Sequence, residues 1–256
     1  MNEFVHAKVE IGETAATIAA ERRFLADAVT AIKAARAQVE RKVRQDRFFL
    51  TTLEPYEPNA YDGRVVKRMC EATTKTGVGP MAAVAGAVAA EAVEAMVRAG
   101  CSHGWVDNGG DVALKLDSAI TLEVFSDPDS GKAFGFGLGP TKGTIGICSS
   151  SGRLGHSISF GDSDVVVAIA EDAVLADALA TAIGNRVTDR ESLRTCFDPF
   201  KAIRGAFGFL AMLDGEVSVF GEVPDLVEVE HNADRLTVHS RMSSDKYTGS
   251  GRAASG

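Results

Sequence analysis

An aspartate and a threonine four residues apart form the clearest chemical pair in the sequence. Asp177 and Thr181 lie in an apolar run that ends at Gly184. The apolar residues recur at helical spacing, so both side chains are expected on one face of a helix that Asp172 caps. A carboxylate and a hydroxyl are oxygen donors that suit a hard cation such as Mg²⁺. The alternative is an Asp on a solvated face and a Thr bonded to its own helix.

A polar loop before this helix is a candidate anion site. Residues 148–153 are Cys-Ser-Ser-Ser-Gly-Arg. Successive backbone amides in such a turn form a nest for phosphate or carboxylate, and the hydroxyls of Ser149, Ser150 and Ser151 add donors. An ordinary surface turn is one alternative. A second is a reactive thiolate at Cys148, because nest amides would lower the pKa of its thiol.

Two glycine-containing segments upstream are further candidates. Asn108-Gly109-Gly110-Asp111 predicts a tight turn between two strands, with Asp111 facing a ligand or capping the turn. An Ala-rich helix is predicted from Met81 to Ala99. Gly86 costs that helix about 1 kcal/mol relative to alanine, so another element or a ligand is expected close to its backbone.

Composition limits the classes of function. The net charge of −8 argues against a general nucleic-acid surface, and no run is expected to cross a membrane. The four cysteines are widely spaced and form no CxxC pair, so zinc and dithiol sites are not indicated. We therefore expect a cytoplasmic protein whose partner is a small molecule or nucleotide. The small-residue helix suits a ligand cleft or a subunit interface, so a homo-oligomer stays open.

The elements that must position these residues are several helices and many hairpin-like strands. Residues 13–44 predict one long helix, and a solvated face is expected for the basic side chains of its second half: Lys33, Arg36, Arg41, Lys42 and Arg44. The pattern indicates one α+β domain over residues 1–241. The polar, Gly/Ser-rich tail of residues 242–256 is expected to be disordered.

Together, three of these segments resemble the signatures of an uncharacterised family within the ApbE-like superfamily. The segments are residues 77–86, residues 106–111 and the Ala-rich run 176–182, and their spacing agrees with that family. The resemblance extends over roughly residues 5–230. It implies a single ApbE-like α+β domain with antiparallel sheets and packed helices.

Better-known members of the superfamily are FAD:protein FMN transferases, which use Mg²⁺ to split FAD and attach FMN to a Thr or Ser of a target protein. The resemblance implies metal ligands at Asp177, Thr181 and the carbonyl of Ala82. It implies a flavin-nucleotide site at Asn108, Gly109, Gly110, Asp111, Ser149, Ser150, Ser151 and Gly152. It identifies His156 as the candidate base for the acceptor hydroxyl, with a structural histidine as the alternative.

The sequence departs from the transferases where they contact FAD and its pyrophosphate. Ala85-Gly86 stands in place of their Lys-Gly pair, and Ala90 stands in place of an Asp. Residues 157–160, Ser-Ile-Ser-Phe, follow the histidine in place of Asp-Pro. Each lost charged contact costs about 1.5–3 kcal/mol.

Three functions therefore stay open. The first is a Mg²⁺-dependent enzyme acting on a flavin (FAD or FMN) or another nucleotide. The second is a sulfur-handling protein, of sulfide or homocysteine metabolism, that uses Cys148. The third is a non-catalytic protein that binds a ligand on an ApbE-like scaffold.

Overall fold

Helices and two antiparallel sheets make up the part of the chain that the computed structural model describes, residues 3–127, 132–151, 161 and 163–230. The helices are α1 (Leu25–Gln45), α2 (Phe48–Thr51), α3 (Arg64–Thr76), α4 (Val84–Arg98), α5 (Ala173–Gly184) and α6 (Arg190–Thr195). Two short 3₁₀ turns, Arg22–Phe24 and Pro80–Ala83, precede α1 and α4. The strands are β1 (Phe4–Ile11), β2 (Thr14–Glu21), β3 (Gly104–Asp107), β4 (Asp111–Lys115), β5 (Ile120–Asp127), β6 (Lys132–Leu138), β7 (Ile145–Ser150), β8 (Val165–Ala170), β9 (Ala206–Leu213), β10 (Glu216–Gly221) and β11 (Leu226–Glu230).

The larger sheet has eight strands in the order β1-β2-β3-β4-β7-β8-β9-β10, and the smaller has three in the order β11-β6-β5. Every pair of neighbouring strands in both sheets is antiparallel. The expectation of an α+β fold with antiparallel sheets is confirmed.

The central strands of the large sheet are buried on both faces, by helices on one side and by the small sheet on the other. Side chains alternate between faces along a strand. In β8, Val166 and Ala168 pack in the core with α4 and α5, while Val165 and Val167 pack in a second core with the small sheet. The unbroken apolar run of β8 therefore needs no polar positions.

Helices α4 and α5 lie against each other in the first core. By length and composition alone, the run Pro80–Arg98 could cross a membrane; no other helix among the described residues meets that test. In the structure, α4 packs against α1, α5, β3 and β4. Its apolar character is therefore explained by burial in the core, where Ala87, Ala89 and Val93 are almost fully enclosed.

The long helix expected over residues 13–44 is wrong at its start. Residues Thr14–Glu21 form β2, and α1 begins only at Leu25. A two-residue turn with Gly12 at φ +58° brings β2 back onto β1, and β2 also pairs with β3. Alanine favours helices locally, but these strand pairings override that preference.

The expectation of a solvated basic face on α1 is wrong for two of its side chains. The side chain of Lys42 is only 4% exposed and its Nζ lies 2.8 Å from Oδ2 of Asp62. The Arg36 guanidinium is also largely covered, and donates to the Thr14 hydroxyl and to Glu40. Contacts with residues in other parts of the fold therefore explain why both side chains are buried.

Candidate functional site

The first turn of α4 is where the predicted segments meet. The Asn108 side-chain amide donates from Nδ2 to the carbonyl oxygen of Ala85 at 3.1 Å. The next residue, Gly86, donates its backbone amide to Oδ2 of Asp177 at 2.8 Å. The turn after β3 and the carboxylate of α5 are therefore bonded to adjacent residues of one helix.

Asp177 acts on α4 as a capping residue supplied by another helix. Gly86 is the third residue of α4, and the N-cap residue Ala83 makes no side-chain capping bond. The first amides of a helix lack partners within it, and a carboxylate there is favoured by the helix dipole. The residue Asp177 is only 7% exposed, so the alternative of a solvated Asp is wrong.

Gly86 is required by the close approach of α5. A Cβ atom added there would lie 2.2 Å from the carbonyl oxygen of Ala173 and 2.8 Å from Cβ of Asp177. The expectation that another element approaches this backbone is confirmed. This glycine, in the first turn of α4, thus allows the bond between Asp177 and the Gly86 amide.

The turn between β3 and β4 holds its own shape through short-range bonds. Gly109 and Gly110 have φ values of +72° and +99°, a region that other residues seldom adopt. The Gly110 amide donates to Oδ1 of Asp107 at 2.8 Å, and the Asn108 amide donates to the Asp111 carbonyl at 3.1 Å. The Ser149 hydroxyl adds a bond to the Gly110 carbonyl at 3.3 Å, which ties the turn to β7.

Asp111 is a buried carboxylate with an unpartnered oxygen. The residue is 9% exposed, and its Oδ1 has no hydrogen-bond partner among the described residues. Burial raises the pKa of Asp111 well above its ordinary value, and the nearby Asp177 raises it further. The Cys148 thiol and the Ser149 amide lower it, but by less.

Two other carboxyl groups share this environment. Burial raises the pKa of Asp177 to about 7, against the lowering effect of the Gly86 and Ala85 amides. Burial likewise raises the pKa of Asp107 to about 6, although part of that residue is exposed and the Gly110 amide lowers the value. The sequence did not point to Asp107 as a candidate site residue. Its position at the end of a strand, directly before Asn-Gly-Gly, could have indicated it.

The serines of the predicted anion loop are buried. Ser149, Ser150 and Ser151 are each no more than 9% exposed, so the alternative of an ordinary surface turn is wrong for them. The Ser150 side chain lies close to α5, because a Cβ on Gly184 would be 3.3 Å from its hydroxyl oxygen. Gly152, Arg153 and His156 lie outside the described residues.

Cys148 does not have the environment of a reactive thiolate. Its thiol is fully buried and donates to the Ala173 carbonyl at 3.4 Å. Burial raises the pKa of the Cys148 thiol well above its ordinary value, and the charges of Asp111 and Asp177 raise it further. The prediction of a lowered pKa is wrong, because these effects outweigh any favourable amides.

Thr181 and Ala82, the other two expected metal ligands, lie on α5 and in the turn that packs against it. Thr181 is half-buried one turn beyond Asp177 on α5, and its hydroxyl makes no hydrogen bond within the described residues. Ala82 lies in the 3₁₀ turn before α4, which packs against α5, and its amide donates to the Gly79 carbonyl at 3.1 Å. In the described part of the chain, no group of three or more His, Cys, Asp or Glu side chains has the geometry to hold a metal ion.

The positions at which the sequence departs from the transferases are also part of the packed structure. Ala85 is half-buried, with its carbonyl occupied by Asn108. Ala90 is 5% exposed and lines a small cavity beside Asp172 and Glu94. Asp172 also accepts the Val174 amide at 2.9 Å, which confirms it as the cap of α5.

Comparisons of the sequence with known proteins find one family and close relatives of similar length. A family model described as "AbpE bacteria" matches residues 2–196. A UPF0280 protein of Methanocella arvoryzae is 40% identical over 231 residues, which cover 90% of this chain and 94% of the relative. A UPF0280 protein of Methanothrix thermoacetophila is 42% identical over 88% of this chain and 95% of its own length.

Solved structures show the same fold at low sequence identity. The flavin transferase ApbE from Vibrio cholerae superposes with a TM-score of 0.53 at 14% identity, over 86% of this chain and 97% of that protein. The apo form of the flavinyl transferase ApbE of Pseudomonas stutzeri gives a TM-score of 0.56 at 11% identity, over 86% and 94%. At these identities the likeness establishes the fold alone.

Proposed function

The chain belongs to the AbpE bacteria family, and from this membership and the contacts around α4 we propose that it binds a flavin or another nucleotide together with Mg²⁺. The observation that carries the proposal is the pair of bonds at the start of α4, from Asn108 to the Ala85 carbonyl and from the Gly86 amide to Asp177. They join the three segments to which the resemblance assigns nucleotide and metal binding.

The residues present suit a hard cation. Asp177 supplies a carboxylate, Thr181 a hydroxyl without a hydrogen bond within the described residues, and Ala82 a backbone carbonyl in the turn that packs on α5. Oxygen donors of this kind are those that Mg²⁺ takes, and it retains several waters or phosphate oxygens besides. When bound, the ion would neutralise pyrophosphate charge.

The remaining residues of the proposed site would hold the ligand. Asn108 is hydrogen-bonded to α4, its turn is bonded to β7 through Ser149, and the buried hydroxyls of Ser149 and Ser150 lie on that strand. His156, outside the described residues, is the proposed base for an acceptor hydroxyl, because an imidazole pKa near 6.5 suits proton transfer at neutral pH. A cytoplasmic location and homo-oligomer formation stay predictions.

A non-catalytic ligand-binding protein is the second candidate. The observation that favours it is the chemistry at Ala85 and Ala90, where the transferases carry Lys and Asp and this chain carries methyl groups. Without these charged contacts we expect weaker binding of the pyrophosphate and no group transfer. Sulfur chemistry at Cys148 is not proposed, because the thiol is buried and its pKa is raised.

Calorimetric titration of FAD, with and without Mg²⁺, tests the proposal in wild type and Asp177→Ala. We expect binding that needs Mg²⁺ and that Asp177→Ala abolishes. Because Asp177 also caps α4, circular dichroism must first establish that the variant is folded. Absence of heat in wild type under both conditions would contradict the proposal. Binding without FMN transfer to any acceptor peptide would favour the second candidate.

A further inference from the structure

Asp111 is a buried carboxyl group whose negative charge, when ionised, no described cation would compensate. Its Oδ1 is enclosed and unpartnered, and the charged groups with the largest effect on it are the carboxylates Asp177 and Asp107. No Lys or Arg of the described residues is among the main influences on this carboxyl group. An unpaired buried carboxylate is costly, so such groups are paired, protonated or bound to metal.

The neighbouring carboxylates are already satisfied by backbone amides. Asp177 accepts the Gly86 amide through Oδ2, and Asp107 accepts the Gly110 amide through Oδ1. The Asp111 carboxyl also interacts with the Ser149 amide and the Cys148 thiol, but its enclosed Oδ1 has no donor. The oxygen that lacks a partner therefore belongs to β4, on a different element from the metal ligands expected from α5.

We propose that Asp111 is a further ligand of the divalent cation that Asp177 holds, bound through its unpartnered Oδ1. This inference rests on the proposed function, since it adds a residue to the same metal site. The resemblance assigns Asp111 only to the nucleotide turn, whereas the structure gives its side chain an unused oxygen beside the Asp177 charge. Two carboxylates on different elements would let the cation join β4 to α5.

Direct metal binding tests this role without any activity assay. Mn²⁺, which accepts oxygen ligands as Mg²⁺ does, is titrated into the full chain, and the free ion is measured by electron paramagnetic resonance. The variants are Asp111→Asn and, as the control, Asp117→Asn, because Asp117 follows the same strand, is 53% exposed and lies outside the proposed site. We expect Asp111→Asn to raise the Kd for Mn²⁺ at least tenfold and Asp117→Asn to change it less than threefold.

The melting temperature without metal separates a ligand from a structural residue. Asp111→Asn removes a charge that has no partner, so its metal-free melting temperature is expected to equal or exceed that of wild type. A fall in that temperature would mean that the carboxylate is needed for packing, and would overturn the inference.

The outcomes also separate this inference from the function on which it rests. If wild type binds Mn²⁺ and Asp111→Asn binds it with the same Kd, Asp111 is not a ligand, while the proposed metal site stands. If wild type binds neither Mn²⁺ nor Mg²⁺, with or without FAD, the proposed function fails and the inference fails with it.

Discussion

Two buried carboxylates of this protein, Asp62 and Asp111, are compensated in different ways. Oδ2 of Asp62 lies 2.8 Å from the Lys42 ammonium and also accepts the Asn59 amide at 2.9 Å. Oδ1 of Asp111 has no partner among the described residues, and a second carboxylate lies nearby. The charge of Asp62 is therefore balanced by a neighbouring cation. Asp111, in contrast, needs a proton or a cation that the described side chains do not supply.

In a third region, one arginine pairs with three partly buried acidic side chains. Arg68 of α3 contacts Glu91 and Glu94 of α4 and the cap Asp172 of α5, all at 2.7–2.8 Å. These contacts raise the pKa of Arg68 further above its usual range, although burial alone would lower it. Against this background, an unmatched Asp111 at the start of β4, close enough to Asp177 to feel its charge, is typical of a binding site rather than of a stabilising contact.

The largest effect is expected from Lys42→Met, which would leave Asp62 buried without its cation. We expect a loss of about 3–5 kcal/mol in the free energy of unfolding, measured by denaturant titration. Arg44→Met is the control, because Arg44 is 69% exposed and lies 3.9 Å from Glu40, and it should cost less than about 0.5 kcal/mol. Equal costs for the two variants would mean that Asp62 does not depend on Lys42.

A smaller loss is expected from Gly86→Ala, which would push α5 away from α4. The new Cβ would lie 2.2 Å from the Ala173 carbonyl oxygen, and such overpacking costs about 1–3 kcal/mol. Gly137→Ala is the control, since a Cβ there meets nothing within 4 Å. Metal binding should weaken only in the first variant; retention of both stability and binding would show that the close helix contact is not needed.

Asp111→Asn is expected to stabilise the metal-free protein, by about 1 kcal/mol at pH 8 and by less at pH 5. Burial and Asp177 raise the pKa of Asp111 above the value of about 3.9 for an unfolded chain. As pH rises above about 4, the unfolded chain ionises first, which favours unfolding of wild type but not of the variant. Unfolding curves at both pH values measure the difference in free energy of unfolding between the variant and wild type. A difference that narrows with rising pH would contradict the expectation.

The smallest effect on stability is expected from Thr181→Val, below about 0.5 kcal/mol. The hydroxyl lost is half-buried and makes no hydrogen bond within the described residues. If it is a metal ligand, the Kd for Mn²⁺ should nevertheless rise several-fold. Thr73→Val is the matched control, because that hydroxyl donates to the Met69 carbonyl at 2.9 Å in α3 and should leave metal binding unchanged.

The parts of the fold that depend on local sequence could be predicted. Asp172 caps α5 as expected, and the Gly-Gly turn joins β3 to β4. The three segments singled out by the resemblance lie together in the structure, through the bonds at Ala85 and Gly86, while the ligands they would bind stay a prediction.

The parts that depend on distant partners could not be predicted. Residues 14–21 have the alanine content of a helix, and only pairing with β1 and β3 makes them a strand. Lys42 lies in a basic run that looks solvated until Asp62, twenty residues later, is seen beside it. Likewise, the sequence cannot reveal that one carboxylate oxygen of Asp111 lacks a donor, since that depends on four separate strands and helices at once.

The cap on α4 also has a consequence for the order in which the chain folds. Asp177 and the Gly86 amide that it accepts are 91 residues apart in sequence. During synthesis from the N-terminus, α4 therefore leaves the ribosome long before its first turn can be completed, and contacts of such separation form slowly. We therefore expect the first-turn amides of α4 to become protected from hydrogen exchange late in folding. A nascent chain that stops before α5 is expected to present an uncapped, apolar helix to chaperones.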